Sequence, residues 1–377
     1  MNYRVLLVSF LLIITSSSFA QTAKELYEEG VQLRKDGKSK EAIERFKRAV
    51  ALKPDYTEAY YEMGWCQNET KDYTGAIASL QKARQEWSAV AKVHFELGYA
   101  FEKTSQNDSA MASYKRCLAI NNEYSLAWKQ LGYMAYLKDD AKTALEHFAK
   151  YEAAAKNPIT DYLYWYRKGF CFNGVKDFNN AKTALFKSLE YKKDYVNTYL
   201  ELGFACSRLK EDDAAIGYYK NAIEIDSNSH IPYNGIGEVY RDNKKNFSEA
   251  MVWYQKTLAL NPNERKGNYG MGYCLNATGK HTEAIDYLKK AIQNEKDYVA
   301  AFVEIGYSYY KIGYFKEALA NLTKAISLNP KNENGRYYAC LVYISLGEKS
   351  NAQRMVDELK SLSSRHAAGL QERVDKM

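Results

Sequence analysis

The sequence predicts an all-α solenoid, a row of helical hairpins stacked side by side, and three observations carry that prediction. Glycine recurs inside helical apolar patterns at Gly30, Gly64, Gly98, Gly132, Gly169, Gly203, Gly237, Gly272 and Gly306, in steps of 34, 34, 34, 37, 34, 34, 35 and 34 residues, and Cys340 takes the slot of a tenth unit. Twelve residues after each of these positions stands an alanine (Ala42, Ala76, Ala110, Ala144, Ala181, Ala215, Ala250, Ala284, Ala318, Ala352), late by one only in the seventh unit. Four residues beyond each alanine comes a large apolar residue: Phe46, Leu80, Tyr114, Phe148, Leu185, Tyr219, Tyr254, Leu288, Leu322 and Val356. A fixed period of this length is the mark of a repeat array. Only 5 Pro in 377 residues argues against a loop-rich β protein.

The first twenty residues read as an export signal. Arg4 supplies the positive start, Val5 to Ile14 an apolar run broken only by Ser9, and Ser18 and Ala20 the small residues of a cleavage site. The alternative is a membrane anchor, but the run falls short of the roughly twenty residues a spanning helix needs. Gln21 stands where a lipid-modified chain would carry Cys. The mature chain is therefore expected to be exported, periplasmic or secreted, and not membrane-spanning. The charge of the full sequence, +7 from 53 basic and 46 acidic residues, is mild and mixed, which is no footprint for nucleic acid.

Within each unit the pattern reads as two helices. The first carries the glycine and is amphipathic, as in Val93 to Lys103; a short polar turn follows, with Gly37, Asp72, Asp177, Gly279 or Gly313; the second carries the alanine, as in Lys40 to Leu52. Glycine and alanine serve one purpose, since two helices cross closely only where a side chain is nearly absent. A helix-interior glycine costs about 1 kcal/mol, which tight packing must offset. Pro54, Pro262 and Pro330 each end a second helix, and Pro232 suits the first turn of a first helix. The extra residue of the seventh unit is expected near Lys244 to Phe247. Pro158 lies in the extra residues of the long step, so 157–161 is the one candidate hinge. The array spans 21–366, and 367–377 reads as a short charged capping helix with Leu370 and Val374 on one side.

These residues resemble the tetratricopeptide repeat family. Residues 57–86 and 91–118 carry the likeness well, and YFKEALANLTKAISLNP at 314–330 is almost a family consensus. The resemblance implies a right-handed superhelical solenoid of about ten repeats, whose first helices line a concave groove that binds an extended or helical peptide.

Function is sought on the first helices. Three residues before the glycine stand Tyr27, Tyr61, Phe95, Tyr166, Tyr269 and Tyr337; one residue after it stand Trp65, Tyr99, Tyr133, Phe170, Phe204, Tyr273 and Tyr307. Tyr136 and Tyr310 extend the stripe by a turn. An i, i+4 pair shares one helix face. Two readings stay open: the rings fill space between neighbouring first helices, or they form a contact surface, which at half exposure would exceed roughly 600 Å² and mark a binding site. The second predicts Tyr61, Trp65, Phe95, Tyr99, Tyr133, Tyr136, Tyr166, Phe170, Tyr269, Tyr273 and Tyr307 as partner-binding residues, contacts most expected from Tyr99 to Phe170. The slots after the glycine hold no Asn, so the family's carboxylate clamp is not expected.

Other chemistry is absent from the pattern. Cys66, Cys117, Cys171, Cys206, Cys274 and Cys340 occupy small-residue slots and read as buried packing; no CxxC occurs, and Cys171–Cys206 is the only pairing between adjacent repeats. The His residues are scattered, His94 on a packing stripe. No GxSxG, phosphate-cradling loop or HExxH is present. Asn-x-Ser/Thr triplets at Asn68, Asn107, Asn246, Asn276 and Asn321 read as coincidence. The expectation is a non-enzymatic scaffold with no cofactor and no metal, holding a protein or peptide. A cell-wall glycan stacked on the same rings is the alternative, and self-association a further option.

Overall fold

The computed structural model describes residues 21–293 and 297–377; the segment read as an export signal lies outside the described residues. All regular structure among the described residues is helical. The chain divides into two compact units, parting between Ile159 and Thr160. In the first unit, α1 (Ala23–Lys35) pairs with α2 (Ser39–Leu52), α3 (Thr57–Glu69) with α4 (Tyr73–Glu86), α5 (Ala91–Lys103) with α6 (Asn107–Ile120), and α7 (Ser125–Leu137) with α8 (Ala141–Ala154). In the second, α9 (Tyr162–Gly174) pairs with α10 (Phe178–Tyr191), α11 (Val196–Arg208) with α12 (Asp212–Ile225), and α13 (Ile231–Glu238) with α14 (Phe247–Leu260). There follow α15 (Arg265–Ala277) with α16 (His281–Ile292), α17 (Val299–Lys311) with α18 (Phe315–Leu328), α19 (Glu333–Ser345) with α20 (Lys349–Ser361), and a last helix α21 (Ala367–Asp375).

The hairpins form because turn, cap and crossing agree. Past the end of each first helix stands a left-handed residue. Gly37, Gly279, Gly313 and Gly347 have φ between 74° and 82°, and Lys71, Ser105, Asp139, Lys176, Lys210 and Lys245 have φ between 53° and 64°. Asp72, Asp140 and Asp177 cap the second helices, accepting hydrogen bonds from the amides of Gly75, Thr143 and Asn180. At the crossing, a Cβ built on the repeat glycine would lie 2.5–2.7 Å from the large residue of its partner helix, as for Gly30 on Phe46, Gly64 on Leu80 and Gly98 on Tyr114. The alanine column is fully buried behind it, at 0% exposure from Ala42 to Ala352.

The same size rule couples successive hairpins. Tyr219 and Tyr254 are longer than the leucine that other units carry, and their phenol ends reach the next first helix at Gly235 and Gly270. A Cβ at Gly235 would stand 2.5 Å from Tyr219 Cζ, and one at Gly270 closer still to Tyr254. Where the column holds Leu80, Leu185 or Leu288, the slot sixteen residues on carries Glu96, Glu201 or Glu304 instead.

The extra residue of the seventh unit enters earlier than the repeat spacing suggests. It widens the end of the first helix into a π turn at Val239–Asn243, closed by Lys244 N–H to Val239 O at 3.1 Å. A π turn absorbs one residue without losing a backbone hydrogen bond, which an insertion in the polar turn would not do. At the far end, α21 repeats the register of a first helix. Val374 takes the glycine slot and, with Leu370, is buried against Cys340, Ala352 and Val356.

Cys66, Cys117, Cys206, Cys274 and Cys340 are buried free thiols, so no Cys171–Cys206 bridge forms. Burial pushes Cys66, Cys117, Cys206 and Cys274 up to about 12 and Cys340 to about 11, which leaves them unreactive. His94 is buried and bonded to Ser88 O at 2.9 Å.

Gly270→Ala is expected to cost about 1–3 kcal/mol in urea unfolding, because the methyl meets a ring that cannot retreat. Adding Tyr254→Leu should recover most of that loss by restoring the glycine–leucine crossing of other units; additive losses in the double variant would refute the size coupling.

Candidate functional site

The aromatic stripe lies along the first helices and is neither sealed nor open. Tyr61 is buried at 8% exposure, under the Lys92 ammonium at 4.1 Å. Trp65, Phe95, Tyr99, Tyr133, Tyr136, Tyr166, Phe170, Tyr269, Tyr273 and Tyr307 are half-buried, and Phe204 is 42% exposed.

Two ring ladders explain the half-burial. Rings before the glycine pack on the residue preceding the next first helix: Tyr27 on Tyr56 at 5.0 Å, Phe95 on Tyr124 at 5.0 Å, Tyr166 on Tyr195 at 5.1 Å and Tyr269 on Tyr298 at 5.0 Å. At α21 the same slot is filled by His366, 5.0 Å from Tyr337. Rings after the glycine meet the first residue of the preceding second helix: Tyr99 stands 6.2 Å from Tyr73 of the hairpin before, and likewise Phe204 lies on Phe178 at 6.0 Å, Tyr273 on Phe247 at 6.2 Å and Tyr307 on His281 at 5.4 Å. Each of these rings thus packs on a neighbour and stays partly exposed.

Between the ladders runs a column of polar rungs that the glycine spacing does not reveal. The residue four after one glycine meets the residue two before the next. Arg34 pairs with Glu62 at 2.9 Å. Asn68, Asn173 and Asn276 each donate through Nδ2 to the carboxyl and to the backbone carbonyl of Glu96, Glu201 and Glu304, with carboxyl distances of 2.8, 2.7 and 2.9 Å. The available signal is a glutamate recurring 28 residues after an asparagine. Two of these asparagines head Asn-x-Ser/Thr triplets, and all three are buried. Burial raises the carboxyls above the ordinary range, with Glu96 pushed up to about 7 against the opposing bond from Asn68. The rungs therefore set carboxyls that hold their protons more tightly than usual beneath the aromatic surface.

One rung differs in its acceptor. Asn276 Oδ1 receives the Ser308 hydroxyl at 2.7 Å. Asn68 and Asn173 have Ala100 and Ala205 at the equivalent position, and their Oδ1 atoms are buried without a partner.

In each unit a cavity opens on the first helices. In the first, Trp65, Phe95, Tyr99, Asn68 and Glu96 line about 250 Å³. In the second, Phe170, Phe178, Phe204, Ile231 and Glu201 line about 660 Å³. A third stretch is filled from within. Arg241, set by the π turn and paired with Asp242 at 2.6 Å, lies 5.9, 5.6 and 5.7 Å from the rings of Tyr254, Tyr269 and Tyr273. That guanidinium occupies part of the stripe in the second unit. Among the described residues no cluster of metal-ligating side chains is assembled, and no helix is long and apolar enough to cross a membrane.

Residues 27–91 match a sequence profile described as a tetratricopeptide repeat, as do 91–124 and 196–229; residues 243–325 match one for anaphase-promoting complex, cyclosome, subunit 3. The chain is 22% identical over 287 residues to the peroxisomal targeting signal receptor of Saccharomyces cerevisiae, an alignment that covers 65% of this chain and 44% of the receptor. It is 21% identical over 323 residues to BBSome complex member BBS4 of Mus musculus, covering 75% and 60%. The chain thus spans less than two thirds of the length of either relative. Among solved structures, the APC/C hetero-tetramer Cut9-Hcn1 is similar at a TM-score of 0.52 and 14% identity, over 94% of this chain and 96% of that one.

Ala205→Ser should supply the donor that Asn173 lacks and raise stability by about 1 kcal/mol, while Ser308→Ala should lower it by about 1–2 kcal/mol. No gain in the first and no loss in the second would remove the rung from the energetics. Glu96 gives a pH signature. Between its unfolded value of 4.5 and about 7 the folded chain holds a proton that the unfolded chain has released. That stabilisation is complete below pH 4.5 and is lost as pH rises through about 7. At about 1.4 kcal/mol per pH unit, discounted for the part of the side chain that water reaches, Glu96→Gln should stabilise the chain by about 2 kcal/mol at about pH 8 and by little at about pH 4. Thermal unfolding of both chains across that range checks the sign.

Proposed function

Because the chain belongs to the tetratricopeptide repeat family, we propose that it is a non-enzymatic scaffold that holds a protein or peptide against the ring-lined face of its first helices. The contrast between the two helices of each hairpin carries this reading. The alanine column of the second helices is closed at 0% exposure, whereas the ring column of the first helices stays half open, and Phe204 and Ile231 reach 42% and 52%. Tyrosine offers large contact area at low entropic cost, which suits a surface that remains solvated until a partner arrives. A peptide can use ring edges, backbone and rung groups together. A glycan needs open ring faces, and the ladders set a neighbour against Tyr99, Tyr273 and Tyr307.

The place of action in this reading is outside the cytoplasm. Arg4, the apolar run Val5 to Ile14 and the small pair Ser18 and Ala20 support export to the periplasm or beyond.

Photoreactive groups in place of Tyr99 and Phe204 should cross-link a protein partner in cells. Replacing Tyr99, Phe204 and Tyr307 together with Ala should lower that capture at least about tenfold while circular dichroism stays unchanged. Displacement by soluble cell-wall fragments and not by peptides would transfer the reading to a glycan. Loss of helicity in the triple variant would assign the rings to packing.

A further inference from the structure

The larger cavity has a chemical character that the stripe alone does not give. It lies wholly within the second unit, bounded by α9, α11 and α13. Gly235 and the Tyr219 ring packed against it stand among its lining residues. Its apolar wall is formed by Phe170, Phe204 and Ile231, the last two being among the most exposed large hydrophobic residues of the unit. Around it stand Lys176, Arg208 and Lys266, all exposed and none in an ion pair among the described residues. Two carboxylates also line it, Glu201 bonded to Asn173 and Glu238 to Asn234 at 3.0 Å, so the three cations outnumber them. The result is an apolar slot with an unpaired cationic rim.

We propose that this cavity docks an acidic peptide segment in which one aromatic or branched apolar side chain, flanked by carboxylates, enters the slot between Phe204 and Ile231. This rests on the scaffold reading and specifies its partner. The apolar side chain gains from leaving water, and the flanking carboxylates meet Lys176, Arg208 and Lys266 across a partly desolvated rim, where opposite charge sets partner choice and speeds association. A basic segment would meet three like charges, and a neutral one would leave the rim unused. Such docking weakens as salt rises, because the rim charges are exposed.

The test uses the full chain and three fluorescein-labelled nonapeptides: Ser-Gly-Glu-Glu-Phe-Glu-Glu-Gly-Ser, and the same sequence with Gln or Lys in place of Glu. The Glu peptide should bind at least about tenfold tighter than the Gln peptide, and the Lys peptide should not bind. Lys176→Glu, Arg208→Glu and Lys266→Glu together should abolish the preference for Glu over Gln and remove the salt dependence. Phe204→Ala should weaken both the Glu and the Gln peptide, with its thermal midpoint confirming that the chain stays folded. Equal binding of all three peptides, no binding of any, or an unchanged preference after charge reversal would overturn the acidic-segment proposal. The scaffold reading fails separately, when cross-linking from Tyr99 and Phe204 captures no protein.

Discussion

Everything in this molecule depends on one steric requirement: two helices meet closely enough to form a hairpin only where one of them carries a small side chain or none. The repeat glycine provides the gap, the large residue of the second helix fills it, and the alanine lets the second helix lie flat beside it. The backbone entropy lost at each glycine is recovered in dispersion contacts that no larger residue would permit. Because the fit is between volumes, a change in one hairpin propagates to the next. Tyr219 and Tyr254 fit only with Gly235 and Gly270 opposite them.

That requirement also explains how far the sequence could be read. Gly64 and Ala76 answer a demand made at a single slot, so their spacing survives in the chain as a bare number, and the hairpins follow from it. The identity of the stripe residues was equally plain, but their exposure was not. The exposure of Tyr99 depends on Tyr73 of the preceding hairpin, and that of Phe95 on Tyr124 at the start of the next first helix, so it belongs to pairs far apart in the chain. The polar rungs were legible in principle, since Asn68 and Glu96 repeat as Asn173 and Glu201 and as Asn276 and Glu304. They were hidden because glutamate on a helix ordinarily signals a solvated face, and because two of the asparagines doubled as glycosylation triplets. The π turn left only a one-residue lag in the spacing, which fixes that an insertion exists but not which turn absorbs it.

The first-helix face therefore combines three elements whose balance varies along the chain. Rings supply area, rungs hold neighbouring first helices at fixed separation, and cations decide where the surface is already taken. Arg241 covers Tyr269 and Tyr273 from inside, whereas Arg208 and Lys176, which line the cavity with Phe204, engage no ring among the described residues. Within the second unit the face is thereby split into an occupied stretch and an open one.

The buried thiols carry a consequence of their own. Cysteine here serves as a small hydrophobe in slots shared with alanine and glycine, and its sulfur is held in the protonated, unreactive form. That shelter lasts only while the hairpins stay shut. Where each repeat leans on its neighbours alone, opening begins at the extremities. Both extremities close over a thiol: Cys66 lies beneath the first hairpin, among Leu26, Ala42 and Phe46, and Cys340 beneath α21, against Leu370 and Val374. In oxidising surroundings a frayed end would expose that thiol, and its oxidation by an external oxidant to a sulfenic acid, or by a small disulfide to a mixed disulfide, would leave a group too polar or too large for the slot to take back.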